Sequence, residues 1–476
     1  MNVSLASTSE YTVKAAESIS DLSPNAADVL ITSVVTAMVT ELGVCSPTSA
    51  GLLTFHDGER NIQHTIDGYF ISPNSFKKGS MEKHKITMTY GGHIETYAGA
   101  NTFAIPGIYK ILDFIYKNYS SLPLKNLLEF PIKISKDGFK ITQPTKDYFI
   151  HSLKPLYMWH DESAEVLKPL EEDLENGVVK LIKLSETLAH LSDNDFDNFY
   201  YGDIANEVLK TIEDEGGHAT KKDFETYEII HDSKFEHYFK DLKITGHNGP
   251  SIGGLMVLKY LDALQGSSKQ IEKKLQDVYL YRKDNLEFFG NRKDKVGKEI
   301  KNFNISPSTV QVNTSDTDNN HFSITFSSGY GSGVICKNTG MYLNNSLGEI
   351  ELNPQGFLGE TKGERLISNM SPLIINSKNG IVTIGSPGAD RISSSLAQVI
   401  NNYTKNNNWK ISIDEPRYHV NMDGTARSEP GVKVNIKNAT TTQANDMYFG
   451  GVCVTGYDSE LFSHGDKRRG DANWKN

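Results

Sequence analysis

Ile381-Val382-Thr383-Ile384-Gly385-Ser386-Pro387-Gly388-Ala389-Asp390-Arg391 packs a strand, a turn and the start of a helix into one short stretch. The β-branched run predicts a buried strand, Gly and Pro end it, and Arg391 to Tyr403 reads as the following helix. Backbone N–H groups at Gly388 and Ala389, between strand and helix, are placed to stabilise an oxyanion. A tight turn that needs glycine accounts for Gly388 equally well. Upstream, Phe322, Ile324 and Phe326 alternate with polar residues, the pattern of a second strand. The first half of the chain is richer in helices. Ala26 to Leu42 is apolar on nearly every side, so it predicts a helix covered on most faces and started at Ser23-Pro24. Ile108 to Tyr119 and Ile252 to Leu264 read as further helices, with short strands between Leu52 and Thr89. Together these imply a layered α/β (α+β) architecture.

Composition narrows the function. Over 476 residues, 38% are hydrophobic and 23% charged, enough for a large core, and the net charge is −10. That charge argues against a nucleic-acid partner, which needs clustered Lys and Arg. The compact basic cluster, Lys467-Arg468-Arg469, reads as a solvated tail. Cys45, Cys336 and Cys453 lack metal-ligand spacing and are expected as free or buried thiols. Ala26 to Leu42 carries Asp28 and Glu41 and is not a membrane span, and Met1 to Val13 lacks the form of a secretory signal. A cytoplasmic location is expected. Ile271 to Ile305, rich in Lys and Asp, is expected to be an exposed helical or linker region.

Many segments, in order along the chain, resemble γ-glutamyltransferases. Asn25-Ala26-Ala27-Asp28 resembles an early Gly-Asn-Ala-x-Asp-Ala helix, and Phe199-Tyr200-Tyr201-Gly202-Asp203-Ile204-Ala205 resembles Phe-Tyr-x-Gly-x-Ile-Ala. Tyr330-Gly331-Ser332-Gly333 is similar to Phe-Gly-Ser-Gly, and Thr339-Gly340-Met341-Tyr342-Leu343-Asn344-Asn345 to Thr-Gly-x-x-Leu-Asn-Asn. Ser368-Asn369-Met370-Ser371-Pro372 is close to Ser-Ser-Met-Ser-Pro, and Gly385 to Arg391 to Gly-Ser-Pro-Gly-Gly-x-Arg. The resemblance implies an Ntn-hydrolase-like four-layer αββα sandwich of γ-glutamyltransferase type, without metal or organic cofactor. It divides the chain into a large-subunit-like region, 1–315, and a small-subunit-like region, 316–476, forming one unit.

The family frees a threonine as a new N-terminus, whose hydroxyl attacks a γ-glutamyl amide while its own amine is the base. Aligning His and Ser of the family's Thr-Thr-His-x-Ser puts it on Asn319-Asn320-His321-Phe322-Ser323, so Asn319 stands in the nucleophile's place without a hydroxyl. On this reading the chain stays uncleaved, unless a slipped register makes Thr317 the nucleophile. His321 is then a general acid–base or a packed core histidine. The chain also reaches Tyr330 too soon after His321, as though a hairpin were missing. Tyr69 stands where an arginine grips the substrate α-carboxylate, and Ser327 and Ser346 replace a substrate-binding Asn and a Gln. Glu349 keeps the ability to hold an α-amine, and Ser368 and Asn369 the hydrogen bonds to the carboxylate. Gly388 and Ala389 keep the oxyanion amides. The expectation is a divergent enzyme of acyl or aminoacyl transfer or amide hydrolysis on a small amino-acid-derived substrate, serving a specialised biosynthetic pathway. The alternative is a non-catalytic protein that retains the fold to bind a ligand or partner.

Overall fold

Two antiparallel sheets stack face to face, each covered by helices on its outer side, giving four layers. The computed structural model describes residues 2–76, 84–89, 94–249, 251–265, 271, 273–275, 277–278, 309–349, 362–421, 425–432 and 439–476. Its main strands, in chain order, are β1 Val3–Ser7, β2 Ala50–Asp57, β3 Ile62–Gly68, β4 Ile230–His231, β5 Lys234–Phe239, β6 Leu242–His247 and β7 Val310–Asp316. They continue with β8 His321–Ser327, β9 Leu373–Ser377, β10 Gly380–Gly385, β11 Cys453–Asp458, β12 Glu460–His464 and β13 Ala472–Lys475. One sheet has the order β13-β1-β7-β8-β2-β3-β4, the other β12-β11-β10-β9-β6-β5. The expected division at 315/316 falls inside β7, because Asp316 is its last residue. Most of the Lys- and Asp-rich segment 271–305 lies outside the described residues.

The helices that build the outer layers are α1 Tyr11–Ile19, α2 Ala26–Thr40, α3 Ile108–Tyr119, α4 Leu124–Asp137, α5 Gly253–Leu264 and α6 Arg391–Asn406. Every residue of α2 is buried, as its all-round apolar sequence requires. Its cap is Asn25, not the expected Ser23-Pro24 pair. The Asn25 side chain accepts from the Asp28 N–H, and Asp28 accepts from the Asn25 N–H, a reciprocal capping box. One apolar core joins α2, α3 and α4 to Phe55, Val312, Phe322 and Ile324 on the outer face of the first sheet. A second joins α5 and α6 to Ile244, Leu373, Ile375, Val382 and Ile384 on the outer face of the other.

Between the sheets the chemistry changes. Side chains alternate along a strand, so the residues between those named face the other sheet, and apart from Ile374 they are mostly polar. Asn313 Nδ2 donates to the Cys453 carbonyl at 2.6 Å, and the hydroxyls of Ser315 and Thr455 lie 2.8 Å apart. The Thr54 hydroxyl donates to the Pro372 carbonyl at 2.7 Å, and Ser323 Oγ to that of Ile384 at 3.3 Å. The seam is therefore hydrogen-bonded rather than oily.

The basic triplet is no solvated tail. Arg468 is 1% exposed at its side chain, paired with Glu429 and with Asp466 at 3.2 Å, and Asp466 also holds Arg417 at 2.6 Å. Glu429 is distant in sequence from Arg468, and Asp466 from Arg417, so a reading of neighbouring residues misses how these charges are shared. All three cysteines are free and buried.

Candidate functional site

Most of the site residues expected from sequence meet at one end of the sandwich, where β7 begins, β8 ends, β9 begins and β10 ends. Ser327 closes β8 opposite Ala50, donates to the Val44 carbonyl at 3.3 Å and accepts from the Gly329 amide at 3.0 Å. Gly329 has φ +70, and a Cβ there would lie 2.0 Å from Glu349 Oε1, so glycine is required for Glu349 to approach. Asn345 fixes the same turn, accepting from the Tyr330 amide at 2.8 Å. Ser368 Oγ accepts from the Met370 amide at 3.1 Å, which orders the Ser368-Asn369-Met370 turn. Tyr69, Ala50, Leu347 and Met370 pack in one small apolar cluster, so these segments share a wall. Three buried polar atoms here, Ser328 Oγ, Ser346 Oγ and Asn369 Nδ2, meet no protein partner. Each such orphan costs about 1–3 kcal/mol unless something polar binds it, which makes this end a candidate ligand site.

Gly388 and Ala389 follow β10 in the left-handed half of backbone space, at φ +125 and +52. A non-glycine residue there costs on the order of 1 kcal/mol, strain that the surrounding contacts must hold. Gly450 supplies part of that hold, packed so tightly that a Cβ on it would lie 2.4 Å from the Pro387 carbonyl. Among the described residues the amides of Gly388 and Ala389 donate to no protein acceptor, and helix α6 begins two residues later. The turn thus offers two unused donors side by side.

Thr317, Asn319 and His321 are not with these residues. They lie at the β7–β8 turn, a strand length away: roughly 23 Å for seven residues. Thr317 is exposed there, its amide donating to the Asn2 carbonyl at 3.2 Å. Asn319 has φ +65 and bridges two imidazoles, Nδ2 to His56 Nε2 at 3.2 Å and Oδ1 to His321 Nε2 at 2.9 Å. His321 Nδ1 lies 2.8 Å from Ser315 Oγ. Burial, with His56 nearby as a smaller cause, pushes the His321 pKa down to about 3, so this imidazole is neutral and structural. Burial likewise lowers His56. Asp316 ties the turn to α2 by accepting from the Ala26 amide at 3.1 Å.

A sequence profile described as gamma-glutamyltranspeptidase matches residues 13–297 and 267–472. The chain belongs to the γ-glutamyltranspeptidase family. It is 23% identical over 436 residues to the glutathione hydrolase proenzyme of Escherichia coli strain K12, covering 77% of this chain and 74% of that protein. It is 24% identical over 390 residues to the glutathione hydrolase proenzyme of Bacillus subtilis strain 168, covering 70% and 66% respectively. In three dimensions it is similar to a cephalosporin acylase from Bacillus halodurans, with a TM-score of 0.79, 18% identity and coverage of 100% of this chain and 95% of that one. The fold is that of the Ntn hydrolases. Family and fold place the chain among amide hydrolases and transpeptidases.

Within the γ-glutamyltranspeptidase pattern a hairpin separates the threonine motif from Phe-Gly-Ser-Gly. That hairpin is present: it is β7–β8, ending just before Tyr330. Thr309-Val310-Gln311-Val312-Asn313 stands at the start of β7, at the same end as Ser327, whereas Asn319 and His321 stand at the far turn. Thr309 is buried and lies one position beyond the Val310↔Phe326 pair, across from Ser327. It shares a strand face with Gln311, Asn313 and Ser315, which turn toward the second sheet. Gln311 packs on Gly385, where a Cβ would lie 2.2 Å from it, so the Thr309 end of β7 is the end at which β10 runs into the Gly388-Ala389 turn. Sequence reasoning missed Thr309. The missing hairpin was the available signal.

Proposed function

We propose that this chain is a self-processing amide hydrolase or acyl transferase in which Thr309 carries the nucleophilic hydroxyl. The observation that supports this is the placement of Thr309: a buried threonine at the head of a central strand, across from Ser327 and at the end of the sandwich where the Gly388-Ala389 turn follows β10. In the maturation step, Thr309 Oγ1 attacks the Ser308 carbonyl, moving the acyl group from nitrogen to oxygen. Water then cleaves the ester and leaves Thr309 with a free α-amine. In turnover that amine takes the hydroxyl proton as Oγ1 adds to the substrate amide carbonyl. The amides of Gly388 and Ala389 stabilise the oxyanion, the leaving amine accepts the proton, and water or an acceptor amine releases the acyl group. The unpartnered polar atoms of Ser346 and Asn369 and the carboxylate of Glu349 supply substrate contacts. Tyr69, in place of the family's arginine, directs the enzyme to a small amino-acid-derived amide other than glutathione, as a specialised biosynthetic step would need.

Mass spectrometry of the purified protein tests the reading. Two fragments meeting between Ser308 and Thr309 are expected, with Thr309→Ala leaving one chain of 52.9 kDa. Cleavage before Thr317, or an intact chain that still turns over amides, would overturn the assignment. An intact and inactive chain would leave the fold as a binding module.

A further inference from the structure

The acyl half of the site carries a signature of its own. Beside the two large cores lies a third, separate apolar cluster of Ala50, Leu52, Tyr69, Phe70, Phe76, Ala104, Leu347, Leu366 and Met370, with half-buried Tyr97 against it. Its members interleave with the site residues. Leu347 follows Ser346, Met370 follows Asn369, and Ala50 pairs with Ser327. Tyr69, edge-on to Phe70 at 5.1 Å between ring centroids, is the member that replaces an arginine.

Another arginine could have compensated, and Arg365 is close. Its guanidinium is engaged beneath Tyr69 instead: Nη1 donates to Asp67 Oδ1 at 3.2 Å, to the Tyr69 carbonyl at 2.8 Å and to the Tyr227 hydroxyl at 3.0 Å. Nη2 donates to the Glu228 carbonyl. With Asp67 and Arg365 both nearly buried, this pair is fixed structure and not a free cation. Arg391, beyond the oxyanion turn, is held by Asp390 at 2.8 Å and lies over Tyr448. Of Thr309, Tyr69, Ser327, Ser346, Glu349, Ser368, Asn369, Gly388 and Ala389, Glu349 alone bears a charge, and it is negative. A γ-glutamyl α-carboxylate brought to this wall would meet an aromatic cluster and an acidic side chain, with no bidentate cation among these residues to repay its desolvation.

We infer that the acyl group this enzyme accepts is apolar and lacks an α-carboxylate, with an amino group tolerated near Glu349. The inference rests on the acyl-transfer reading above and names its substrate class: amides of aromatic or aliphatic acyl or aminoacyl groups. The test compares L-phenylalanyl-, phenylacetyl- and L-γ-glutamyl-p-nitroanilide as substrates of the wild-type protein. In parallel, equilibrium binding of L-phenylalanine, phenylacetate and L-glutamate is measured by calorimetry. The apolar anilides are expected to exceed the γ-glutamyl compound by about tenfold or more in kcat/KM, with the free acids binding in the same order. Tyr69→Arg should reverse part of that ratio. A γ-glutamyl preference in both assays would overturn the inference and leave acyl transfer standing. Tighter binding of the apolar acids without cleavage of any anilide would keep the inference and sink the catalytic reading. Failure of all three acids to bind, with none of the anilides cleaved, would overturn the inference.

Discussion

The two ends of the β7–β8 hairpin are made of the same two strands and do opposite things. At the turn, the side-chain amide of Asn319 and both ring nitrogens of His321 have protein partners, and Asp316 fastens the turn to the start of α2. At the open end, Ser328 and Ser346 keep hydroxyls that meet nothing, and Gly388 and Ala389 hold unused amides in strained backbone. A closed polar network stabilises; an open one waits for a ligand.

The largest test of that contrast exchanges the two threonines. Thr309→Ala is expected to abolish self-cleavage and reduce amide turnover by about 10³-fold or more, whereas Thr317→Ala should leave both within about twofold. Electrophoresis and a p-nitroanilide assay read the result, and a dead Thr317→Ala would break the comparison. Next in size is His321→Ala, which removes a buried, doubly hydrogen-bonded ring. A loss on the order of 2–3 kcal/mol in urea unfolding is expected, with the cleavage point unchanged.

Acid sharpens the same point. The folded His321 pKa of about 3 lies below its ordinary value of 6.5, so the unfolded chain binds the proton more readily. Its contribution to stability is full above pH 6.5 and is lost progressively as pH falls toward 3, by on the order of 1–2 kcal/mol between pH 6.5 and 5. His321→Gln should flatten that part of the stability–pH curve, and an unchanged slope would show that the ring is not the titrating group. The smallest effect expected is for Asn319→Thr, which places the family's residue in the misread position. At φ +65 a β-branched side chain costs about 1–2 kcal/mol and gains no chemistry, so cleavage should stay before Thr309.

Much of the fold was legible because burial imposes patterns. An unbroken apolar stretch such as Ala26 to Thr40 has one physical outcome, a helix covered all round, and Ile108–Tyr119 kept both ends of its expected span. The turn after β10 was legible because Gly and Pro turns such as Gly385 to Ala389 demand particular residues. Thr309, the nucleophile we propose, was not singled out, for a reason rooted in strand geometry. Val310 and Val312 alternate with polar residues in the same rhythm as Phe322, Ile324 and Phe326, so either strand fits the same pattern. A His and a Ser two residues apart in β8 drew the motif onto that strand rather than the one that begins after Thr309. Arg468 was misjudged differently: Glu429 reaches it only in the folded chain, and Asp466, two residues away, is shared there with Arg417.

The polar seam between the sheets carries a consequence for how this protein changes over time. Aliphatic residues on the outer faces are interchangeable one at a time, since a methyl group more or less alters packing without a specific partner. Ser315 with Thr455, or Gln63 with Thr245 and Asn376, are partners in a shared bond. Replacing one strands the other, so seam positions are free to move only in concert. Drift in this molecule is therefore directed outward to the helices and to the site at the mouth, while the middle of the sandwich holds the two halves of the chemistry in fixed alignment.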